Sequence, residues 1–97
     1  MAETPKRKAK LKLRLYVAGN AANSLLAIAN AKAICGEHFD VGQFEIVDLL
    51  EFPHRAIADG VIVTPTLLRL LPRPVRTIIG TLSATSKVVL AVSSNSR

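Results

Sequence analysis

A chain of 97 residues is long enough for one domain with one hydrophobic core, burying roughly 60–65% of its unfolded surface. Hydrophobic residues at 49% and charged residues at 21% exclude a wholly disordered protein. An unbroken apolar run of only about five residues, Val88 to Val92, excludes a membrane-spanning helix, which needs ~18.

The net charge of +6 is uneven: residues 1–14 hold six basic side chains against Glu3, and the other 83 residues hold seven basic and six acidic ones. The charge therefore describes residues 1–10 as a basic flexible arm more than it describes a binding face, and such an arm is a solvated segment before it is a nucleic-acid reader. No basic-then-apolar leader opens the chain, and the lone Cys35 has no internal disulfide partner. Both fit a protein of the reducing cytoplasm, with a domain over 11–92 and a flexible tail over 93–97.

Leu11, Leu13, Leu15 and Val17 alternate with Lys12, Arg14 and Tyr16, which predicts a first strand. Gly19-Asn20 breaks it, Asn23 or Ser24 can cap a helix, and an alanine-rich stretch carries that helix to Ile34 or Cys35. Spacing at 100° per residue puts Leu25, Ile28, Ala31, Cys35 and Phe39 on its apolar stripe. Phe44 to Leu50 is rich in β-formers and predicts a second strand, parallel to the first across the helical crossover. Pro53 opens a short helix ending near Gly60, and Thr64-Pro65-Thr66 leads into the apolar run Leu67 to Leu71. Pro72-Arg73-Pro74 turns that run into Val75 to Ile79, an antiparallel hairpin closed by Gly80. The last segment carries two signals: Ser83 can cap a helix over 84–92, while Val88 to Val92 has the composition of a strand.

A βαβ unit, a short helix and a hairpin after Thr-Pro-Thr form the layout of a thioredoxin-like α/β domain. Asn20-Ala21-Ala22-Asn23-Ser24 occupies the place of the redox dithiol, so no thiolate stands at the helix N-terminus and disulfide exchange is not expected. Cys35 reads as a small core residue, and His38 and His54 as surface histidines without metal-ligand spacing. Gly19-Asn20 lacks the glycine spacing of a phosphate loop, and Asp48 with Glu51 reads as a solvated strand end. Arg69, Arg73 and Arg76 gather around the hairpin, where they can meet an acidic protein or phosphate.

The strings Leu15-Tyr16-Val17-Ala18-Gly19-Asn20 with Asn23-Ser24, Ile46-Val47-Asp48-Leu49-Leu50, Thr64-Pro65-Thr66-Leu67, Pro74-Val75-Arg76, Ile78-Ile79-Gly80 and Leu82-Ser83 resemble the KaiB family in the same order, from about Leu11 to Val92. The resemblance implies a non-enzymatic clock protein, without cofactor or metal, that binds a KaiC-type hexameric ATPase ring and shifts its phosphorylation cycle. It further implies a homo-oligomer, dimer or tetramer, and two folds: a tetrameric ground state and a thioredoxin-like state that binds KaiC. Pro65, Pro72, Pro74 and Ala91 are then the candidate fold-switch positions, and Arg69 and Arg76 match the family's partner contacts, with Arg73 a third candidate from its place in the hairpin cluster, while Tyr16 and Asn23-Ser24 look structural. The family usually has Gly and Asp where this chain has Ala91 and Ser93, and lacks nothing of the acidic tail that is missing here. Alanine favours helix over glycine by up to ~1 kcal/mol, which predicts a larger thioredoxin-like population than in a typical member. A clock-associated histidine kinase or a KaiA-like protein is a further implied partner, although Leu26 and Glu45 stand where basic residues are common. The alternative from another class is a nucleic-acid-binding protein using the basic arm, with a steep salt dependence.

Overall fold

The computed structural model describes residues 10–94. The basic arm read at residues 1–10 lies outside the described residues except for Lys10, and so does 95–97 of the tail. The elements are β1 (Leu11–Val17), α1 (Ala22–His38), β2 (Val41–Asp48), α2 (Pro53–Ala58), β3 (Thr66–Leu71), β4 (Arg76–Ile79) and α3 (Thr85–Ser93). One four-stranded sheet runs in the order β2-β1-β3-β4, with β1 and β2 parallel and the other two pairings antiparallel. This is the thioredoxin-like α/β layout.

Period two along β1 divides the molecule into two layers of packing. Leu13, Leu15 and Val17 point to one face and join Leu67, α1 and α3 in the larger core. Tyr16 points to the other face and packs with Val47, Ala56, Val61 and Leu68 beneath α2. α1 buries Ser24, Ala27, Ala31 and Ile34; of the predicted stripe Ala31 is buried and Ile28, Cys35 and Phe39 pack half-buried against the same core, while Leu25 is half exposed. Small side chains at 24, 27 and 31 let the helix lie close on the sheet, so the larger residues are displaced to its flanks.

Several local expectations are corrected. The residue before α1 is Ala21, with no side-chain cap; the Ser24 hydroxyl, buried inside the first turn, instead accepts the Ala18 N–H at 3.0 Å and pulls the helix onto the end of β1. α1 continues past Cys35 to His38. β2 begins three residues before Phe44 and ends at Asp48, because Asp48 Oδ1 accepts the Leu50 N–H at 2.9 Å and the Gly19 N–H at 3.1 Å. Asp48 is therefore a turn-fixing acceptor joining two loops, and not a solvated strand end. Pro53 does open α2, and Gly60, at φ +71°, ends it in a conformation that suits glycine.

The ambiguous last segment is helical. Val88 and Val92, one turn apart, are buried in the larger core, which outweighs their strand propensity. Ser83 does not cap this helix; its hydroxyl bonds to that of Thr81 at 2.7 Å. Leu82, buried and at φ +65°, makes the corner between β4 and α3.

Candidate partner-docking face

Arg69 and Arg76 stand opposite each other in the β3–β4 register, on the sheet face that carries α3. Arg69 is fully buried. Its Nη1 donates to the carbonyls of Val92 and Ser94, and Nη2 to that of Pro74, each at 2.7 Å. The planar fork thus ties β3 to the hairpin turn and to the C-terminal end of α3, where the partial negative charge of the helix favours a cation. Burial, with the nearby Arg76 charge adding to it, holds the Arg69 pKa below its ordinary value. Arg76 is half-buried, and its Nε and Nη2 are enclosed without a hydrogen-bond partner among the described residues. Arg73 is exposed in the turn between Pro72 and Pro74.

The structure therefore brings the three arginines to one end of the hairpin but in different states: Arg69 turned wholly inward, Arg76 partly so, Arg73 in solvent. The peptide bonds before Pro65, Pro72 and Pro74 are cis, and Ala91 lies half-buried on α3. All seven acidic residues of the chain lie at or before Asp59. The β3–β4–α3 region is consequently electropositive throughout, with Arg69, Arg73, Arg76 and Lys87 as its charged residues.

On the opposite face a polar cluster fastens α2 to the sheet. Arg14 pairs through Nε with Glu45 at 2.9 Å and through Nη1 with Asp59 at 2.8 Å. The Tyr16 hydroxyl donates to Asp59 at 2.6 Å, and Arg55 on α2 pairs with the second Glu45 oxygen at 2.7 Å. Hydrogen bonds from Arg55 and then Arg14 pull the Glu45 pKa down to about 2. Burial pushes Asp59 upward, yet the Tyr16 and Arg14 bonds outweigh it and leave its carboxyl below the usual range. Tyr16 is pushed up to about 12, by burial first and by its bond to Asp59 next. The sequence reading missed this cluster; its one local signal was that Arg14 and Tyr16 share a strand face.

Around α2 several large apolar side chains are exposed, Leu50, Phe52, Ile57, Ile62 and Val63, beside the exposed Glu51 and His54. Leu26 is also half exposed on α1, whereas Glu45 is engaged in the cluster above. Cys35 is half-buried against the larger core, and burial pushes its thiol pKa up. His38 and His54 are exposed. Among the described residues no group of His, Cys, Asp and Glu could hold a metal ion, and no helix is long and apolar enough to cross a membrane.

The KaiB domain profile matches residues 14–93, which contain every element of the fold except the start of β1. The chain belongs to the KaiB family. It is 46% identical over 84 residues to the circadian clock protein KaiB3 of Synechocystis sp., covering 86% of this chain and 82% of that protein. It is 44% identical over 81 residues to the circadian clock oscillator protein KaiB of Microcystis aeruginosa, covering 82% and 78%. Among solved structures, the N-terminal domain of Synechococcus elongatus SasA aligns with a TM-score of 0.70, covering 100% of this chain and 98% of that domain. At 17% identity the SasA likeness establishes the shared thioredoxin-like fold alone. For this KaiB-family chain, the sequence resemblance and the fold agree.

Proposed function

We propose that this KaiB-family protein is a non-enzymatic clock regulator of the cytoplasm that binds a KaiC-type hexameric ATPase ring and modulates its phosphorylation cycle, in a circadian or a timer and stress-response system. The observation that carries this reading is the family match across the whole folded region, residues 14–93. The thioredoxin-like arrangement supports it further, because the family resemblance assigns ring binding to that form.

Within this reading Arg73 and the outer part of Arg76 contact the partner, and Arg69 acts behind them by holding α3 in place. Pro65, Pro72, Pro74 and Ala91 belong to the segment that exchanges between folds. Alanine at 91 favours the helix, and with it the ring-binding form. A homo-oligomer of the other form is the resting competitor, and residues 1–10 are an arm dispensable for ring binding. A KaiA-like protein or a clock-associated histidine kinase would engage the same form. No observation favours nucleic acid as the partner.

The test is to mix the full chain with KaiC-type hexamers and ATP and to follow complex formation over hours by native mass spectrometry. Ring complexes, weakened by Arg73→Glu, are the expected result. Absence of any complex across several KaiC-type rings would overturn the reading.

A further inference from the structure

The sheet ends at β4, and the ladder there leaves one side of the strand open. Gly80 N–H donates to Pro65 C=O at 3.0 Å, in register with the Leu67–Ile78 and Arg69–Arg76 pairs. By the alternation of an antiparallel ladder, the backbone groups of Thr77 and Ile79 then point away from β3. No strand among the described residues takes them up. Alongside lies an open groove of about 540 Å³ between β4 and α3, with Ile78, Leu82, Val88 and Ala91 in its lining and Lys87 beside them.

An open strand edge next to an apolar groove is the receptor geometry for an added strand: backbone bonds give affinity and alternate side chains enter the groove. Charge decides what that strand is. No acidic residue occurs after Asp59, while Arg73 and Arg76 flank one end of β4 and Lys87 lies along the groove. A second copy of β4 would bring these cations against their own kind. The other sheet edge, β2, carries Glu45 and ends on Asp48, so it lacks this bias.

We propose that β4 and its groove form a docking site for an extended acidic peptide of a partner protein, paired with Thr77 and Ile79, whose α3-facing side chains, every second residue, are apolar in the middle over the groove and acidic at the ends toward Arg76 and Lys87, with Arg73 just beyond the strand. The site shares Arg73 and Arg76 with the ring-binding reading but does not depend on which protein supplies the peptide. Nucleic acid would meet the cations too, but it has no strand to add and no side chains for the apolar lining.

The probe is a fluorescein-labelled Glu-Thr-Val-Thr-Val-Thr-Glu-Thr peptide, which sets Glu and Val on one face of the strand, titrated into the full chain and read by anisotropy, beside the same peptide with Lys in place of Glu. The Glu peptide should bind at least tenfold more tightly, and its affinity should fall at least fivefold in Lys87→Glu. Thr77→Pro removes an outward N–H that β3 does not use and should weaken binding at least tenfold with an unchanged far-ultraviolet circular dichroism spectrum. Should Thr77→Pro fail to fold, Lys87→Glu decides. Equal binding of the two peptides, no change in Lys87→Glu, full displacement by single-stranded DNA at equal charge, or a dimer that Thr77→Pro dissolves would each overturn the proposal. Ring binding measured in parallel separates the two readings: rings without peptide binding defeat this site alone, and peptide binding without rings defeats the ring reading alone.

Discussion

Replacing Arg69 by Met should release α3 while leaving the rest of the sheet assembled. The side chain is fully buried and makes three bonds of 2.7 Å to backbone carbonyls, two of them at the end of α3. Hydrogen bonds from a charged donor contribute about 1.5–3 kcal/mol each, so the three together reach roughly 5–9 kcal/mol. Against this stands the cost of a buried guanidinium with no carboxylate partner, several kcal/mol that methionine avoids. The net loss is about 2–4 kcal/mol, which for a domain of this size lowers Tm by roughly 10–25 °C. If the loss falls on α3 alone, its amides exchange roughly 30- to 1,000-fold faster, since about 1.36 kcal/mol is a factor of ten. Hydrogen exchange with thermal melting measures both, and the exposed Arg73→Met serves as control. Unchanged α3 protection in Arg69→Met would refute the reasoning and leave Val88 and Val92 packing as the sole anchor.

The acid side of stability should depend on Glu45, whose pKa drops from its ordinary 4.5 to about 2 on folding. A lowered folded-state value stabilises above the unfolded pKa and is lost as pH falls from about 4.5 to about 2; urea melts across that window should show the decline, and Glu45→Gln should flatten it. Tyr16, the single tyrosine, should titrate near 12 by its ultraviolet absorbance, so its contribution is complete below pH 10 and fades as pH rises toward 12. Tyr16→Phe should cost about 1–2 kcal/mol in denaturant melts, the size of a bond to a charged acceptor partly retained by Arg14. Ala91→Gly should weaken α3 by up to ~1 kcal/mol, and nuclear magnetic resonance should then show a smaller thioredoxin-like population than in the unaltered chain.

The strands were legible because β1 is written in strict alternation and the hairpin is bounded by Pro72-Arg73-Pro74 and Gly80. The facing of α1 was not, since an alanine-rich helix has little amphipathic contrast and either of two neighbouring stripes fits its spacing. The last segment was read as helix or strand because its β-branched residues favour one and its spacing the other. Contacts distant in sequence decide it: Arg69 reaches 23 residues to Val92, and Asn30 on α1 donates to the Thr81 carbonyl at 2.8 Å. The site was half legible for the same reason. Proximity within the hairpin grouped Arg69, Arg73 and Arg76, but only the position of the α3 terminus turns Arg69 inward. The cluster beneath α2 left less trace, because Arg14 and Glu45 are 31 residues apart and Tyr16 and Asp59 are 43 apart.

The two faces of the sheet are fastened by opposite chemistry. α2 is held by carboxylates between arginines, a clamp that protonation can loosen. α3 is held by one guanidinium against carbonyl dipoles, a fastening with no carboxylate to titrate. Because no acidic side chain lies beyond Asp59, the charge that fixes α3 is never neutralised by a neighbour, and Arg76 adds to it from the facing strand. The C-terminal helix is thus held by the packing of Val88 and Val92 and tied at its end by one guanidinium, in a region whose charged residues are all basic. An anionic group placed there would gain electrostatically, and loss of the Arg69 ties would leave α3 held by its apolar packing alone.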